Sequence, residues 1–304
     1  MVYLNNIWTF DKVIKIMRLD GRRESTNVDD RRGSTARTVG GLGIGGAIIV
    51  GLITLLMNGG DLGQAIQTAS SMAGQQQSVS QPYQPTAEEE ELATFAKQIL
   101  AGTEDVWTEI FRQYGKTYYP PKLVLFTDAV QSGCGGASAS SGPFYCSADQ
   151  CVYLDLSFFS SMKEQLGADG DFAYAYVIAH EVGHHVQYLL GTLQEAHQQM
   201  SRSSEKISNQ ISVRLELQAD FYAGVWANND NKMFRSLEAG DIDEGMAIAS
   251  KIGDDYLQKK AYGRTIPDSF NHGTSDQRSR WLKKGLSSGN IQLGDTFSPD
   301  YRSL

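Results

Sequence analysis

The chain has 304 residues, of which 41% are hydrophobic, so it can bury one sizeable core together with appendages. Its net charge of −8 means that nucleic acid is not an expected partner. All three cysteines fall in one short stretch, which excludes a zinc finger built on cysteines and leaves one cysteine over if two form a disulfide.

The N-terminal residues 1–38 have the composition of an unfolded segment. Residues 1–16 are a mixed apolar and polar run ahead of a second methionine, Met17, and we interpret them as an upstream extension. A short amphipathic helix at a membrane surface is the alternative. Residues 18–38 are rich in arginine, acids and small polar residues, which cannot form a core. We therefore predict that 1–38 is disordered.

Residues 39–57 contain no charged side chain, and a stretch of this length can cross a hydrocarbon core of about 30 Å. This predicts one N-terminal transmembrane helix. A cleaved signal peptide is the alternative, but the stretch is long for one and starts far from the N-terminus. Arginines precede it and no Lys or Arg occurs between Asn58 and Ala96, so the positive-inside rule places 1–38 in the cytoplasm. A flexible linker over 58–87 follows.

A folded domain is predicted over 88–290. Apolar residues recur at helical spacing at its start, and two prolines end that pattern. Residues 122–126 and 152–156 have the apolar composition of strands, with a Gly- and Ser-rich loop or hairpin over 132–142 between them. The segment 291–304 is predicted to be a loop-like tail. The fold class is therefore α+β, mainly helical, with a small sheet.

Residues His180 to His184 spell His-Glu-x-x-His. On a helix, positions i and i+4 lie on one face, so both imidazoles can point at a single metal ion. Glu181 emerges toward the same side, where a carboxylate can take a proton from an activated water. Tetrahedral zinc with an open position for water takes three protein ligands, so one more is needed.

The helical segment from Arg214 to Trp226 supplies two carboxylates, Glu216 and Asp220, again four residues apart. They are costly to bury among apolar neighbours unless they meet cations. We predict one Zn²⁺ per chain, with Glu216 as the third ligand and Asp220 orienting a histidine ligand from behind. An ordinary solvated stripe is the alternative, for which the surrounding apolar residues leave little room.

These motifs resemble the glutamate-zincin metallopeptidases, and more closely the bacterial neutral zinc metallopeptidases of the YpfJ-like group. The resemblance runs from Met17 to about Phe297, and its other motifs are Gly142-Pro-Phe-Tyr-Cys146, Val152-Tyr-Leu-Asp-Leu156, Gly240-Asp-Ile-Asp243, Ile252-Gly-Asp-Asp255 and His272-Gly-Thr-Ser275. It implies a zincin-like metallopeptidase domain whose sheet borders the cleft and pairs with an extended substrate. It also favours a Cys134–Cys146 disulfide, with three reduced thiols as the alternative.

The resemblance further implies a role for His272 and Arg278. Their spacing is similar to that in membrane heat-shock and prenyl-protein metallopeptidases, where both residues lie by the cleft and can stabilise an oxyanion. The alternative is a helix-capping histidine and a surface arginine. Residues 241–261 are predicted to form one amphipathic helix that carries the acidic patch Asp254-Asp255. His185 and His197 are interpreted as ordinary surface histidines.

The predicted function is that of a membrane-anchored zinc endopeptidase that cleaves polypeptides in the bacterial cell envelope, with its catalytic domain outside the cytoplasm. Glu181 is the predicted general base, and His272 and Arg278 are predicted to assist catalysis. An inactive zinc-binding scaffold for envelope partners is the alternative, against which the presence of Glu181 argues. A metal-independent tethered binding module would require both residue pairs to be accidental.

Overall fold

A computed structural model describes residues 17–34, 83–168 and 170–304 of the chain. The predicted helix over 39–57 lies outside these residues, as does nearly all of the predicted linker. The described helices are α1 (Ala87–Gln113), α2 (Ser157–Leu166), α3 (Asp171–Leu190), α4 (Thr192–Met200), α5 (Glu205–Phe234), α6 (Asp241–Lys251), α7 (Asp254–Tyr262) and α8 (Ser275–Ser288). Within the described part of the chain, no helix is long and apolar enough to span a membrane.

Four strands form the main sheet in the order β1-β2-β6-β5, and two more form a separate hairpin. They are β1 (Val28–Asp30), β2 (Lys122–Phe126), β3 (Ala129–Ser132), β4 (Gly135–Ser138), β5 (Phe144–Cys146) and β6 (Cys151–Asp155). The strands β1, β2 and β6 run parallel, and β5 pairs antiparallel with β6 at one edge. This confirms the predicted mainly helical α+β fold with a small sheet.

Alternation along β2 shows why these residues form a central strand. Leu123 and Leu125 belong to the large core that the sheet shares with the helices. Val124 and Phe126 point to the opposite face, where they join a second apolar cluster with the disulfide cysteine Cys146. Because successive side chains leave opposite faces of a strand, a continuous apolar run indicates a strand buried on both sides.

The prediction that 18–38 is disordered is wrong for the described residues 17–34. Met17 is 2% exposed and lies in the main core. Strand β1 pairs with β2 in the register Val28 to Leu123. Arg22 is half-buried and forms an ion pair with buried Asp230, with 2.8 Å between Nη2 and Oδ1. The segment contributes few apolar residues, but its backbone completes a sheet edge and its arginine neutralises a buried carboxylate. The folded domain therefore includes 17–34 and does not begin at 88.

The position of β1 also bears on the predicted topology. A single crossing by 39–57 would put residues 17–34 and 83–304 on opposite sides of a membrane. Strands β1 and β2 are hydrogen-bonded neighbours in one sheet, so both must lie on the same side. The assignment of 17–34 to the cytoplasm is therefore incompatible with an extracytoplasmic peptidase domain.

The two helices with the predicted ligands, α3 and α5, pack closely. A Cβ atom at Gly183 would lie 3.0 Å from the carbonyl oxygen of Ala219 and 3.1 Å from its Cα. A larger residue in place of Gly183 would push α3 away from α5. The glycine inside the His-Glu-x-x-His motif thus lets the two pairs of polar residues meet across the helix interface.

Two boundaries on the C-terminal side differ from prediction. The helix predicted over 241–261 is two helices, α6 and α7, that meet at Ile252 and Gly253. The predicted tail 291–304 is part of the folded domain, because Thr296 and Leu304 are buried. Arg214 of α5 holds this segment by donating hydrogen bonds to backbone carbonyls, including that of Pro299 at 2.9 Å.

Candidate metal centre and active site

The structure brings the three predicted ligands together. His180 and His184 of α3 and Glu216 of α5 each offer a ligand atom, and these atoms all lie within 4.8 Å of one another. The Nε2 atom of His180 is 3.2 Å from Glu216 Oε2, and that of His184 is 3.4 Å from Oε1. Two imidazoles and one carboxylate are a donor set that suits zinc with a position left open.

The electrostatics of this cluster also favour a cation. Burial alone would lower the pKa of His180, but the carboxylates of Asp220 and Glu216 outweigh it and raise that pKa to about 10. Burial likewise works against ionised Glu216, yet the adjacent imidazoles of His184 and His180 hold the pKa of its carboxyl well below its usual range. The donor set therefore fits a divalent metal ion in charge as well as in spacing.

Asp220 lies behind His180, as predicted. The Nδ1 atom of His180 is 2.8 Å from Asp220 Oδ1, so Nδ1–H donates to the carboxylate and leaves Nε2 facing Glu216. Tyr176 donates its hydroxyl to the same carboxylate oxygen. A histidine held in this way has its tautomer and ring orientation fixed for metal binding.

Arg278 was predicted to lie by the cleft and to assist catalysis, and its guanidinium is paired with Asp220. Its Nε is 2.8 Å from Asp220 Oδ2 and its Nη2 is 2.9 Å from Oδ1, a bidentate pair. The alternative of a surface arginine is wrong, because Arg278 is 3% exposed. Its guanidinium neutralises and orients Asp220, and through it His180. Arg278 is thus placed to position other groups, although it also lines the pocket beside Glu181.

The second histidine of the motif is supported by residues that the sequence analysis did not identify. His184 Nδ1–H donates to Gln187 Oε1 at 2.9 Å. The Gln187 amide in turn donates to the carbonyl of Leu215 at 2.7 Å, next to the third predicted ligand. Gln187 is fully buried and three residues after His184 on the same helix. That spacing is the one sequence signal that could have identified it.

Glu181 is buried beside the cluster and is only 1% exposed. Burial raises the pKa of its carboxyl. Its Oε1 atom has no hydrogen-bond partner among the residues that the structure describes. An ionisable group held in a cleft with an unsatisfied oxygen is costly for stability and typical of a functional site.

His272 lines the same pocket as Glu181. It is 3% exposed, and its Nδ1–H donates to Asp254 Oδ1 at 3.0 Å. Burial would lower the pKa of His272, but the carboxylate of Asp254 raises it above its ordinary value. The Nε2 atom meets no hydrogen-bond partner in the described residues. The helix-capping alternative is wrong, because Thr274 caps α8.

Asp254, which was predicted to form an acidic patch with Asp255 on an amphipathic helix, is buried. It is 1% exposed at the start of α7. Its Oδ2 atom accepts hydrogen bonds from the backbone N–H groups of Asn271, His272 and Gly273 at 2.8, 2.7 and 3.0 Å. One carboxylate thus fixes both the loop that carries His272 and the ring itself.

The interpretation of His185 as a surface residue is also wrong. It is fully buried, and its Nε2–H donates to the carbonyl oxygen of Tyr119 at 2.7 Å. Its Nδ1 then accepts from the hydroxyl of Tyr145, 2.9 Å away on β5. Burial lowers the pKa of His185 to about 4, so it is neutral at pH 7 and ties α3 to the sheet edge. His197 is exposed, as predicted.

The structure contains the predicted Cys134–Cys146 disulfide, and Cys151 is a buried thiol. Cys146 is the last residue of β5, the edge strand that carries Tyr145. The disulfide therefore joins this edge to the turn of the β3–β4 hairpin and limits its movement beside α3.

Comparison with known proteins gives a consistent result. Residues 17–297 match the family described as "Putative neutral zinc metallopeptidase". The uncharacterized protein YpfJ of Escherichia coli (strain K12) is 46% identical over 291 residues, which cover 92% of this chain and 99% of that one. The uncharacterized protein Rv2575 of Mycobacterium tuberculosis (strain H37Rv) is 39% identical over 203 residues, covering 64% of this chain and 66% of that one. No solved structure matches.

Proposed function

Because the chain belongs to this neutral zinc metallopeptidase family, we propose that it hydrolyses peptide bonds, with zinc held by His180, His184 and Glu216. The observation that carries the proposal is that one carboxylate oxygen of Glu181, beside that cluster, has no hydrogen-bond partner among the described residues. A protein that merely held a metal as a scaffold would gain nothing from a buried carboxylate with an unsatisfied atom.

When bound, zinc would act as a Lewis acid that polarises the scissile carbonyl and lowers the pKa of water. Glu181 accepts the proton of the attacking water and passes it to the leaving amine. Burial raises the pKa of Glu181 and so brings its proton affinity closer to what a base needs near neutral pH.

His272 is the second group that we assign to the reaction. Its Nδ1–H is committed to Asp254, so a neutral ring has only a lone pair at Nε2. The protonated ring carries a second N–H at Nε2, and His272 lines the pocket that Glu181 also lines. There it can donate to the oxyanion that develops on the attacked carbonyl. Asp254 supports this state because its carboxylate raises the pKa of His272.

The substrate proposed is a polypeptide in extended conformation. Strand β5 is the last in the strand order of the main sheet, and Pro143 just before it lines the pocket. An extended peptide added to this edge would run past Glu181 while its backbone pairs with the strand. The disulfide and the His185–Tyr145 hydrogen bond hold that edge in place.

We place the folded domain outside the cytoplasm, in the cell envelope, because a disulfide persists in oxidising compartments. Residues 17–34 share a sheet with the rest of the domain and belong on the same side. The uncharged stretch 39–57 remains the proposed site of membrane attachment, but not as a single crossing of the bilayer, because both of its flanks lie on one side. Envelope polypeptides are accordingly the proposed substrates.

The test of this function is reversible removal of the metal. The purified protein should contain about one zinc per chain and should cleave members of a mixed peptide library, read by mass spectrometry. A chelator should stop cleavage, and added zinc should restore it at the same sites. Cleavage that continues at full rate in protein shown to contain no metal would contradict the proposal.

A further inference from the structure

A pocket opens beside Glu181 and His272, and most of its wall is apolar. Its empty space, including open solvent at the mouth, is about 770 Å³. Helix α2 forms one wall, α3 another, and the segment that joins α6 to α7 a third. The apolar lining residues are Phe158, Met162, Leu166, Val177, Ile252 and Leu257.

The pocket is continuous with the groups assigned to the reaction. Val177 precedes Glu181 by four residues on α3, so the two side chains leave the same face of that helix. Glu181 and His272 themselves contribute to the lining. A substrate side chain next to the attacked carbonyl can therefore enter the apolar space without the peptide moving away from Glu181.

Few of the described residues that line the pocket carry a charge, and those that do lie beside the metal-ligand cluster or take part in the proposed reaction. The charged or titratable groups that contribute to this lining are Tyr176, His180, Glu181, His272 and Arg278. His180 belongs to the ligand set, and Arg278 is paired with Asp220. The other lining residues described are apolar or uncharged. Among the described lining residues, a lysine side chain would meet Glu181, the proposed base, and an aspartate would meet His272 and Arg278, which are already paired with aspartates. An aromatic or long aliphatic side chain would instead remove its apolar surface from water.

We propose that this pocket binds a large apolar side chain, aromatic or long aliphatic, adjacent to the bond that is cleaved. The proposal rests on the proposed function for its role in specificity, but the binding preference can be measured without cleavage. Full burial of such a side chain corresponds to a preference of about ten- to a hundredfold over small or charged residues.

The experiment follows the methionine methyl groups of the full-length protein by NMR. The protein is labelled with ¹³C at the methionine methyl groups, and Met162→Leu assigns the signal of the pocket methionine. The ligands are the N-acetyl amides of phenylalanine, lysine and aspartate. We expect phenylalanine to shift the Met162 signal at concentrations at least about tenfold lower than the charged derivatives, while exposed Met233 stays unchanged.

Two variants test whether the binding is in the pocket. Val177→Phe fills the space beside Glu181 and should raise the phenylalanine concentration needed by at least about tenfold. Leu190→Phe makes a similar change at the exposed end of the same helix and should have no effect. Thermal unfolding of both variants checks that they fold. A folded Val177→Phe protein that still binds like wild type would overturn the proposal.

The same titration separates this inference from the proposed function. If the protein cleaves no peptide but its Met162 signal still shifts at the lowest concentrations with the phenylalanine derivative, the pocket proposal is supported and the proposed peptidase activity is not. If the protein cleaves peptides but all three derivatives shift the Met162 signal at equal concentrations, the proposed peptidase activity is supported and the pocket proposal is overturned. Cleavage sites mapped in the library should carry a large apolar residue on one side of the broken bond.

Discussion

Two buried histidines, His180 and His272, are each held at Nδ1 by an aspartate, and they differ in what their Nε2 atoms meet. Nε2 of His180 faces Glu216 within the predicted ligand set. Nε2 of His272 has no hydrogen-bond partner in the part of the chain described, and the residue lines the apolar pocket. The same pair of residue types thus serves two purposes, and the surroundings of Nε2 decide which one.

The aspartates differ as well. Asp220 also forms an ion pair with Arg278, which fixes the carboxylate behind His180. Asp254 instead accepts hydrogen bonds from three backbone N–H groups, which fix the loop that carries His272. A metal ion bound at Nε2 would keep His180 neutral, whereas Nε2 of His272 lies outside the ligand set and can carry a proton. If this is correct, the two sites should respond differently to the same substitutions.

The largest expected effect is that of His180→Ala. Removal of one of three ligands should reduce the zinc content from about one per chain to near zero and abolish cleavage. Elemental analysis and a peptide-cleavage assay measure both quantities. His197→Ala, an exposed histidine on α4, is the control and should match wild type. Full zinc in His180→Ala would mean that the ligand set is wrong.

His272→Ala should leave the zinc content unchanged and lower kcat by about 10²- to 10³-fold, the usual cost of one oxyanion donor. Zinc analysis and steady-state kinetics on one preparation test both halves. If zinc were lost with His272, the two histidines would not differ in the way described here. If kcat were unchanged, His272 would have no part in the reaction.

Asp220→Asn should weaken zinc binding by about 10- to 100-fold without abolishing it, because the amide still accepts from His180 but supplies no charge. Competition with a zinc indicator measures the affinity. The variant also leaves Arg278 buried without its carboxylate partner, so a lower unfolding temperature is expected. An unchanged zinc affinity would show that Asp220 does not support the ligand.

The smallest effect at neutral pH, and the most specific, is that of Asp254→Asn. The Asp254 carboxylate raises the pKa of His272, and the protonated ring is the proposed donor, so activity falls as the pH rises through that pKa. Removal of the charge lowers the pKa, and the alkaline limb of the kcat profile should move to lower pH. A limb that stays in place would exclude His272 as its source.

The features that could be predicted from the sequence are those whose residues form a recognisable local pattern. The apolar run of β2 predicted its range, and two pairs of polar residues at helical spacing predicted the ligand set. Polar groups inside apolar helices are costly to bury unless partnered, and this restricts what they can meet. The contact between the polar residues of α3 and α5 could therefore be predicted from two local patterns, although the sequence does not show how the two helices cross.

Other features depend on contacts between residues far apart in sequence. Arg22 finds its partner Asp230 more than two hundred residues later, so the N-terminal segment alone reads as an unfolded, polar stretch. His185 donates to the backbone carbonyl of Tyr119, and any residue could supply that group. Asp254 resembles a surface acid until the loop around His272 folds back over it. No local pattern encodes these contacts.

The measurement that tests the central claim most directly compares wild type with Glu181→Gln at equal zinc content. Glutamine keeps the shape of the side chain and leaves His180, His184 and Glu216 intact, but it is a poor proton acceptor. The account predicts unchanged zinc and unfolding temperature, with kcat for a peptide identified from the library reduced by at least about 10²-fold. Cleavage by Glu181→Gln at the wild-type rate, with zinc bound, would contradict it.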